Sequence, residues 1–246
     1  FCCVLVALML DYLDMTHLKS RHKIAQMFDQ IADRYDRANR ILSLGQDMKW
    51  RKKLLQYLPK LDDLHIVDLA CGTGDQIIAL GEVDAKFFGL DISKEMLKVA
   101  KTKLRNDERV ELMLGSALDV PLSDECAGAV TMSFGIRNVS DPGLCIQEMS
   151  RILQPGGKAL ILEFSKPKNK FHKQMSDLYI NHIVPWVGAK VTKKKATYAY
   201  LPETIEDFPS GKAFLEIMEE NGLTNTCQVA MNFGTVSLYI GEKPKG

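Results

Sequence analysis

The sequence predicts an α/β fold built on a doubly wound, mostly parallel sheet, and three observations predict it. A β-branched apolar run, Ile66-Val67-Asp68-Leu69, breaks into Ala70-Cys71-Gly72-Thr73-Gly74 and then into Gln76-Ile77-Ile78-Ala79-Leu80, which reads as strand, tight turn and helix. A second strand, Ala85 to Leu90, ends in Asp91, about 20 residues past the turn, where doubly wound folds hold a carboxylate for ribose hydroxyls. Third, short apolar runs alternate with helical patterns as far as Phe164. A chain of 246 residues with 46% hydrophobic content suits one such domain with attachments.

Taken in order, Phe1 to Leu10 is apolar but too short to span a bilayer, and it reads as an extension upstream of a natural start at Met9 or Met15. Residues 1–14 are therefore expected outside the fold, and 15–246 form a single domain. Its first part, 15–60, is a helical cap: Ile24, Met27, Phe28, Ile31 and Tyr35 recur at helical spacing, and Trp50, Leu54, Leu55 and Leu58 make a second helix that stops at Pro59. The remainder, 61–246, is the sheet core with inserted helices. After Asp91, Ser93 caps a helix through Leu104, and Val110 to Leu114 and Ala127 to Ser133 are strands. Asp141 caps a helix to Leu153, which Pro155-Gly156-Gly157 stops, and Lys158 to Phe164 is the fifth strand. Phe171 to Val191 reads as helices, with Tyr179, Ile180, Ile183, Val184 and Trp186 as apolar positions that line a passage or pack in the core. Gly211 to Glu220 is a helix with Gly222 as its stop, and Asn225 to Met231 and Thr235 to Ile240 close the sheet as an antiparallel hairpin.

The turn itself narrows the ligand. A dinucleotide fingerprint needs a third glycine near the pyrophosphate, and here Gly72-Thr73-Gly74 is followed by Asp75, Gln76 and Ile77. Asp75 would also bring negative charge to a helix start that otherwise favours phosphate. A ligand with adenosine and no phosphates fits, and S-adenosylmethionine is such a ligand, with Asp68 facing its ammonium and Asp91 its ribose. Two other readings stay open: glycines that only relieve backbone strain, and a nicotinamide-dependent dehydrogenase, which the missing glycine disfavours.

Composition excludes more than it assigns. With 32 basic and 31 acidic residues the chain lacks the electrostatic footprint of a nucleic-acid binder. Its six cysteines show neither metal-ligand spacing nor disulfide density, so no metal is expected and a reducing cytoplasm is. Cys71 reads as a small turn residue. The run Lys190-Val191-Thr192-Lys193-Lys194-Lys195 is either solvated surface or a contact for anionic lipid heads.

Longer motifs carry a resemblance. Met27-Phe28-Asp29-Gln30-Ile31-Ala32-Asp33-Arg34-Tyr35-Asp36-Arg37-Ala38-Asn39 leads to Ser43 and Trp50-Arg51; Phe134-Gly135-Ile136-Arg137-Asn138-Val139 and Arg151-Ile152-Leu153-Gln154-Pro155-Gly156-Gly157 follow, then Leu162-Glu163-Phe164-Ser165-Lys166-Pro167. Tyr200-Leu201-Pro202-Glu203 and Phe208-Pro209 complete the set. Over about Lys23 to Gly241 the chain resembles the ubiquinone/menaquinone biosynthesis C-methyltransferase family. The resemblance implies a Rossmann-like class I S-adenosylmethionine-dependent methyltransferase sheet with an N-terminal helical cap. It implies methyl transfer from S-adenosyl-L-methionine to a ring carbon of a polyprenylated quinol.

Carried over residue by residue, it places the cofactor at Thr73, Asp91, the pair Ser116-Ala117 and Ser133, to which the turn itself adds Asp68, Gly72 and Gly74. Family members often have His four residues after Ser43, where this chain has Asp47, and Lys where it has Gln154. An unperturbed His titrates near neutrality and an Asp near pH 4, so a proton-accepting role there does not transfer without retuning. The resemblance includes menaquinone-pathway members with Asp at this point, which tilts the expected acceptor toward demethylmenaquinol. The ubiquinone-pathway benzoquinol, a different small acceptor and a noncatalytic binding protein remain alternatives.

Methylating an aromatic carbon needs electron density there, so an adjacent hydroxyl must lose its proton. Arg137 is expected to stabilise the resulting phenolate and Asn138 to fix its orientation, with Tyr35 or Asp36 handling the proton. The expected partners are the quinol and a peripheral contact at the inner face of the membrane, with a homodimer admitted.

Overall fold

The computed structural model describes residues 21–184, 187 and 201–245. The apolar extension, Trp186, the basic run at 190–195 and Tyr200 lie outside the described residues.

Seven strands form one sheet: β1 (Leu64–Leu69), β2 (Ala85–Asp91), β3 (Val110–Leu114), β4 (Ala127–Ser133), β5 (Leu153–Phe164), β6 (Thr224–Met231) and β7 (Val236–Glu242). Their order is β3-β2-β1-β4-β5-β7-β6, with the first five strands parallel and β7 antiparallel to both its neighbours. The winding direction reverses between β1 and β4, and in open α/β sheets ligands settle outside the strand ends at such a switch point. Register there sets Asp68 beside Thr131.

Alternation along the strands builds a core on each face. Val67 and Leu69 join Val130, Met132 and Ile161 under α6 (Pro142–Ile152) and α9 (Lys212–Glu220), through Cys145, Met149, Phe214 and Met218. Leu64 and Ile66 pack with Phe87, Leu160 and Leu162 on the opposite face, where Leu54, Ile77 and Leu80 cover them. Each such side chain contributes about 1.5–3 kcal/mol by leaving water. Asp68 falls in step with Leu64 and Ile66, so strand period alone turns this acid toward the second face. Tyr239, fully buried in the first core, keeps a polar handle: its hydroxyl accepts the Gly211 N–H at 2.8 Å.

The caps expected at Ser93 and Asp141 are present. Ser93 accepts the Met96 N–H ahead of α5 (Lys94–Leu104), and Asp141 accepts the Leu144 N–H ahead of α6.

Three boundaries differ from the sequence reading. The first cap helix is two, α1 (Arg21–Asp29) and α2 (Ala32–Leu42), because the Asp29 carboxylate accepts from Ser93 Oγ at 2.6 Å and from the Glu95 N–H at 3.1 Å, which turns the chain there. The second is a short helix, α3 (Asp47–Lys52), continued as 3-10 turns over Lys53–Tyr57. Pro155-Gly156-Gly157 does not separate helix from strand: α6 ends at Ile152 and β5 begins at Leu153, with the Pro-Gly-Gly as an irregularity inside it. Backbone pairing explains this, since Gly156 N–H reaches the Lys243 carbonyl and Lys243 N–H the Gly157 carbonyl, both at 2.9 Å.

The remaining helices are α4 (Asp75–Leu80), α7 (Lys170–Leu178) with a wider turn over Tyr179–Ile183, and α8 (Leu201–Asp207). Among the described residues no helix is long and apolar enough to cross a membrane.

Candidate functional site

Two cavities open at the switch point and share three aromatic walls, Phe28, Tyr35 and Phe134. Phe28 and Tyr35 come from the cap, 5.9 Å apart and edge to face, while Phe134 follows β4. Phe134 sits in left-handed backbone, φ 61, a conformation costly for a bulky residue and found where surroundings over-determine it. Gly135 explains part of that: a Cβ there would lie 2.9 Å from the Ala70 Cβ, so the two switch-point loops touch only because it is glycine.

The smaller cavity, about 110 Å³, is bordered by Gly72, Asp91, Ser116, Ala117, Ser133 and Asn138. Asp91 organises it. Its Oδ2 accepts the Gly72 N–H and its Oδ1 the Ser93 N–H, each at 2.8 Å. Burial raises this carboxyl to about 6, with the charge of Asp29 adding to the effect and the N–H groups of Ser93, Gly72 and Ile92 opposing it. Ser133 Oγ donates to Gln76 Oε1 at 2.7 Å, and Ser116 Oγ accepts the Leu118 N–H at 3.2 Å, so both hydroxyls are oriented.

The group expected here fits. At Gly72, φ +55, an added Cβ would meet nothing within 4 Å, so the backbone borders open space. Ile92, Met96, Ala117 and Val139 offer apolar surface for a base, Asp91 a carboxylate for hydroxyls, and the described lining includes no Lys, Arg or His for a pyrophosphate. A sulfonium donor suits such walls.

Other expected residues stand behind the cavity. Asp68, 2% exposed, accepts from Thr131 Oγ1 at 2.7 Å, while its Oδ2 has no partner among the described residues. Burial raises it to about 7, against the Thr131 hydrogen bond and the positive charge of Arg51, and the Asp91 charge adds to the rise. Thr73 Oγ1 donates to Asp36 Oδ1 at 2.5 Å, and Lys103 Nζ reaches Asp36 at 2.8 Å. Neither Asp36 nor Thr73 borders either cavity. They latch the cap to the glycine turn instead. Gly74 also faces away, its Cβ position 2.7 Å from Leu104.

Asp75 corrects an expectation. Its charge does not project to the ligand: Lys103 binds it at 2.5 Å and Arg40 at 2.9 Å, and Arg40 also pairs with Asp47. Burial alone would raise Asp75, yet Lys103, Arg51 and Arg40 together hold it below its ordinary range. The charge that does border the small cavity is that of Asp91, in a described lining without Lys, Arg or His. Cys71 is a turn residue as expected, its thiol pushed well up by burial and by Asp91 and Asp68.

The larger cavity, about 390 Å³, is walled by Trp50, Arg51, Phe134, Arg137, Phe164 and Tyr179 among others, with Asp47 and Ser43 contributing polar groups. Arg137 Nη1 donates to the fully buried Glu163 at 2.7 Å and to the Phe134 carbonyl at 2.8 Å. Its guanidinium lies 5.2 Å from the Phe164 ring, and that of Arg51 lies 5.4 Å from Phe134; the two rings are 4.9 Å apart. Arg137 thus reaches the larger cavity and Asn138 the smaller, with Tyr35 at both. Sequence reasoning missed Glu163 and Arg51 as site residues. A carboxylate inside the apolar run Leu160 to Phe164 and an arginine following Trp50 were the available signals.

A model of the ubiE/COQ5 methyltransferase family matches residues 15–243. The ubiquinone/menaquinone biosynthesis C-methyltransferase UbiE of Campylobacter jejuni (serotype O:6) is 39% identical over 239 residues, covering 92% of this chain and all of that protein. The demethylmenaquinone methyltransferase of Clavibacter sepedonicus is 34% identical, covering 93% of each. Among solved structures, a SAM-dependent methyltransferase from Aquifex aeolicus superposes with a TM-score of 0.58 at 17% identity, over 78% of this chain and 88% of that one, which is a likeness of fold.

Proposed function

The chain belongs to the ubiE/COQ5 methyltransferase family, and from that premise we propose that it transfers a methyl group from S-adenosyl-L-methionine to a ring carbon of a polyprenylated quinol, demethylmenaquinol in particular. It is an S-adenosyl-L-methionine-dependent methyltransferase. One observation carries the acceptor reading: an acid-bearing small cavity and a large, mostly apolar one share the aromatic residues Phe28, Tyr35 and Phe134, so donor and acceptor can face each other across them.

When bound, the cofactor supplies an electrophilic methyl on a sulfonium. Asp91, Gly72, Ser116, Ala117 and Ser133 hold the adenosine end, and Asp68, Thr73 and Gly74 support the turn around it. Tyr35 and Phe28 close the cap over the junction and exclude water, which keeps the reacting carbon in line and strengthens charge interactions. Arg137, fixed by Glu163, directs hydrogen bonds at the acceptor's ring oxygen, and Asn138 holds the loop between the cavities. Tyr35, at the junction, is the group placed to pass on the hydroxyl proton. Asp36 is already engaged by Thr73 and Lys103.

The larger cavity opens to an apolar rim. Leu44 is 82% exposed and Phe233 77%, and both border the cavity from turns with φ 53 and 58. Met175, also exposed, borders the same cavity. Such a rim suits an isoprenoid tail and a peripheral seat on the inner face of a membrane.

The test is incubation of purified protein and methyl donor with demethylmenaquinol and, separately, the benzoquinol precursor under reductant, followed by mass spectrometry. A one-methyl mass gain on the naphthoquinol supports the reading. Cofactor binding with no gain on either quinol overturns it.

A further inference from the structure

We propose that Arg51 anchors an oxyanion of a bound ligand at the junction of the two cavities, a role that no motif in the sequence assigns. The shared chemistry has two sources, the ionised hydroxyl of the acceptor and the amino-acid carboxylate of the methyl donor. The first source rests on the quinol reading above; the second does not.

Arg51 stands at the end of α3, 5% exposed, and borders the larger cavity. Its guanidinium covers the Phe134 ring, which walls both cavities. Its Nε has no hydrogen-bond partner among the described residues, and no described carboxylate oxygen comes within 4.0 Å of its nitrogens. A guanidinium so enclosed is costly unless paired. Three other cations around the cavities and the glycine turn are matched: Arg137 by Glu163, Arg40 by Asp47 and Asp75, and Lys103 by Asp36 and Asp75. Two acids feel the Arg51 charge from beyond pairing distance. Asp75 is held by Lys103 and Arg40, while Asp68 is buried with one oxygen bound to Thr131 and borders neither cavity. The positive charge facing the cavity therefore lacks a counter-ion that a ligand's oxyanion would supply, through the planar fork suited to carboxylate and phenolate.

The experiment uses the full chain and its Arg51→Met and Arg51→Lys variants. Calorimetry measures S-adenosylhomocysteine, which carries the carboxylate, against methylthioadenosine, which lacks it; the pH profile of kcat is measured on the quinol. If the anion is the donor's carboxylate, Arg51→Met weakens S-adenosylhomocysteine about ten- to a hundredfold, leaves methylthioadenosine unchanged, and Arg51→Lys recovers part of the loss. If the anion is the acceptor's, both affinities hold while kcat falls by about a hundredfold or more and its acid limb moves to higher pH, because the phenolate has lost its stabilising charge. Equal losses for both adenosine ligands, or no change in affinity and pH profile alike, would overturn the assignment. Wild type that binds both ligands but methylates neither quinol refutes the acceptor reading alone, and the calorimetric comparison still decides for Arg51.

Discussion

The Asp91 carboxylate accepts the Gly72 N–H at 2.8 Å, tying the end of β2 to the turn after β1. With its other oxygen on the Ser93 N–H, one side chain shapes the glycine loop and starts the following helix. The residue proposed for the ribose is therefore also the one that holds the loop in place.

Asp91→Ala removes charged hydrogen bonds worth roughly 1.5–3 kcal/mol each, so cofactor affinity should fall from about tenfold to somewhat over a hundredfold. Calorimetry checks it. Unchanged affinity removes Asp91 from the site.

Gly72→Ala separates loop strain from ligand contact. Left-handed backbone costs a non-glycine residue roughly 1–2 kcal/mol, and the new methyl enters open space at a residue that borders the small cavity. We expect a modest loss in denaturant midpoint and a larger loss of cofactor affinity. Equal affinity in the variant would show that the ligand does not occupy this space.

Asp68 makes stability depend on pH. Its folded pKa, about 7, lies above the unfolded value of 3.8, so the folded chain binds the proton more tightly and cofactor-free stability falls as pH rises between those values. Asp68→Asn keeps the acceptor for Thr131 and should reduce that slope to the part that Asp91 contributes up to about pH 6, being the more stable form at about pH 8. Urea unfolding across the range measures it, and an unchanged slope assigns the titration elsewhere.

Arg137→Ala leaves Glu163 buried without its partner, an arrangement that costs about 3–5 kcal/mol. The double variant Arg137→Met with Glu163→Gln should recover most of the melting temperature and still lack turnover. Full turnover in that double variant would reduce Arg137 to a structural role.

Leu44→Ser with Phe233→Ser should lower flotation with anionic vesicles while sparing turnover of a short-tailed quinol in detergent. Flotation equal to wild type would place membrane contact on another face.

Much of the fold was legible in the residues. Ile66 to Leu69 and Ala127 to Ser133 announce buried strands because their apolar, β-branched character survives in any neighbourhood, and Ser93 and Asp141 announce helix starts because a cap acts within three residues. The glycine turn and Asp91 were legible for the same reason: backbone geometry and strand length set their spacing. The split at Gln30 was not, since it depends on Asp29 reaching Ser93, 64 positions away.

By itself, then, the sequence determined the sheet, its switch point, the family resemblance and the loop residues around the donor, all of which follow from short-range pattern. Only the tertiary structure decided which charges are spent. Asp75 is claimed by Lys103 and Arg40, and Asp36 by Lys103, while Glu163 fixes Arg137 where it borders the larger cavity and Arg51 faces that cavity without a carboxylate in reach. A charge is neutralised by whatever lies within a few ångströms of it, and distance along the chain does not tell which group that is.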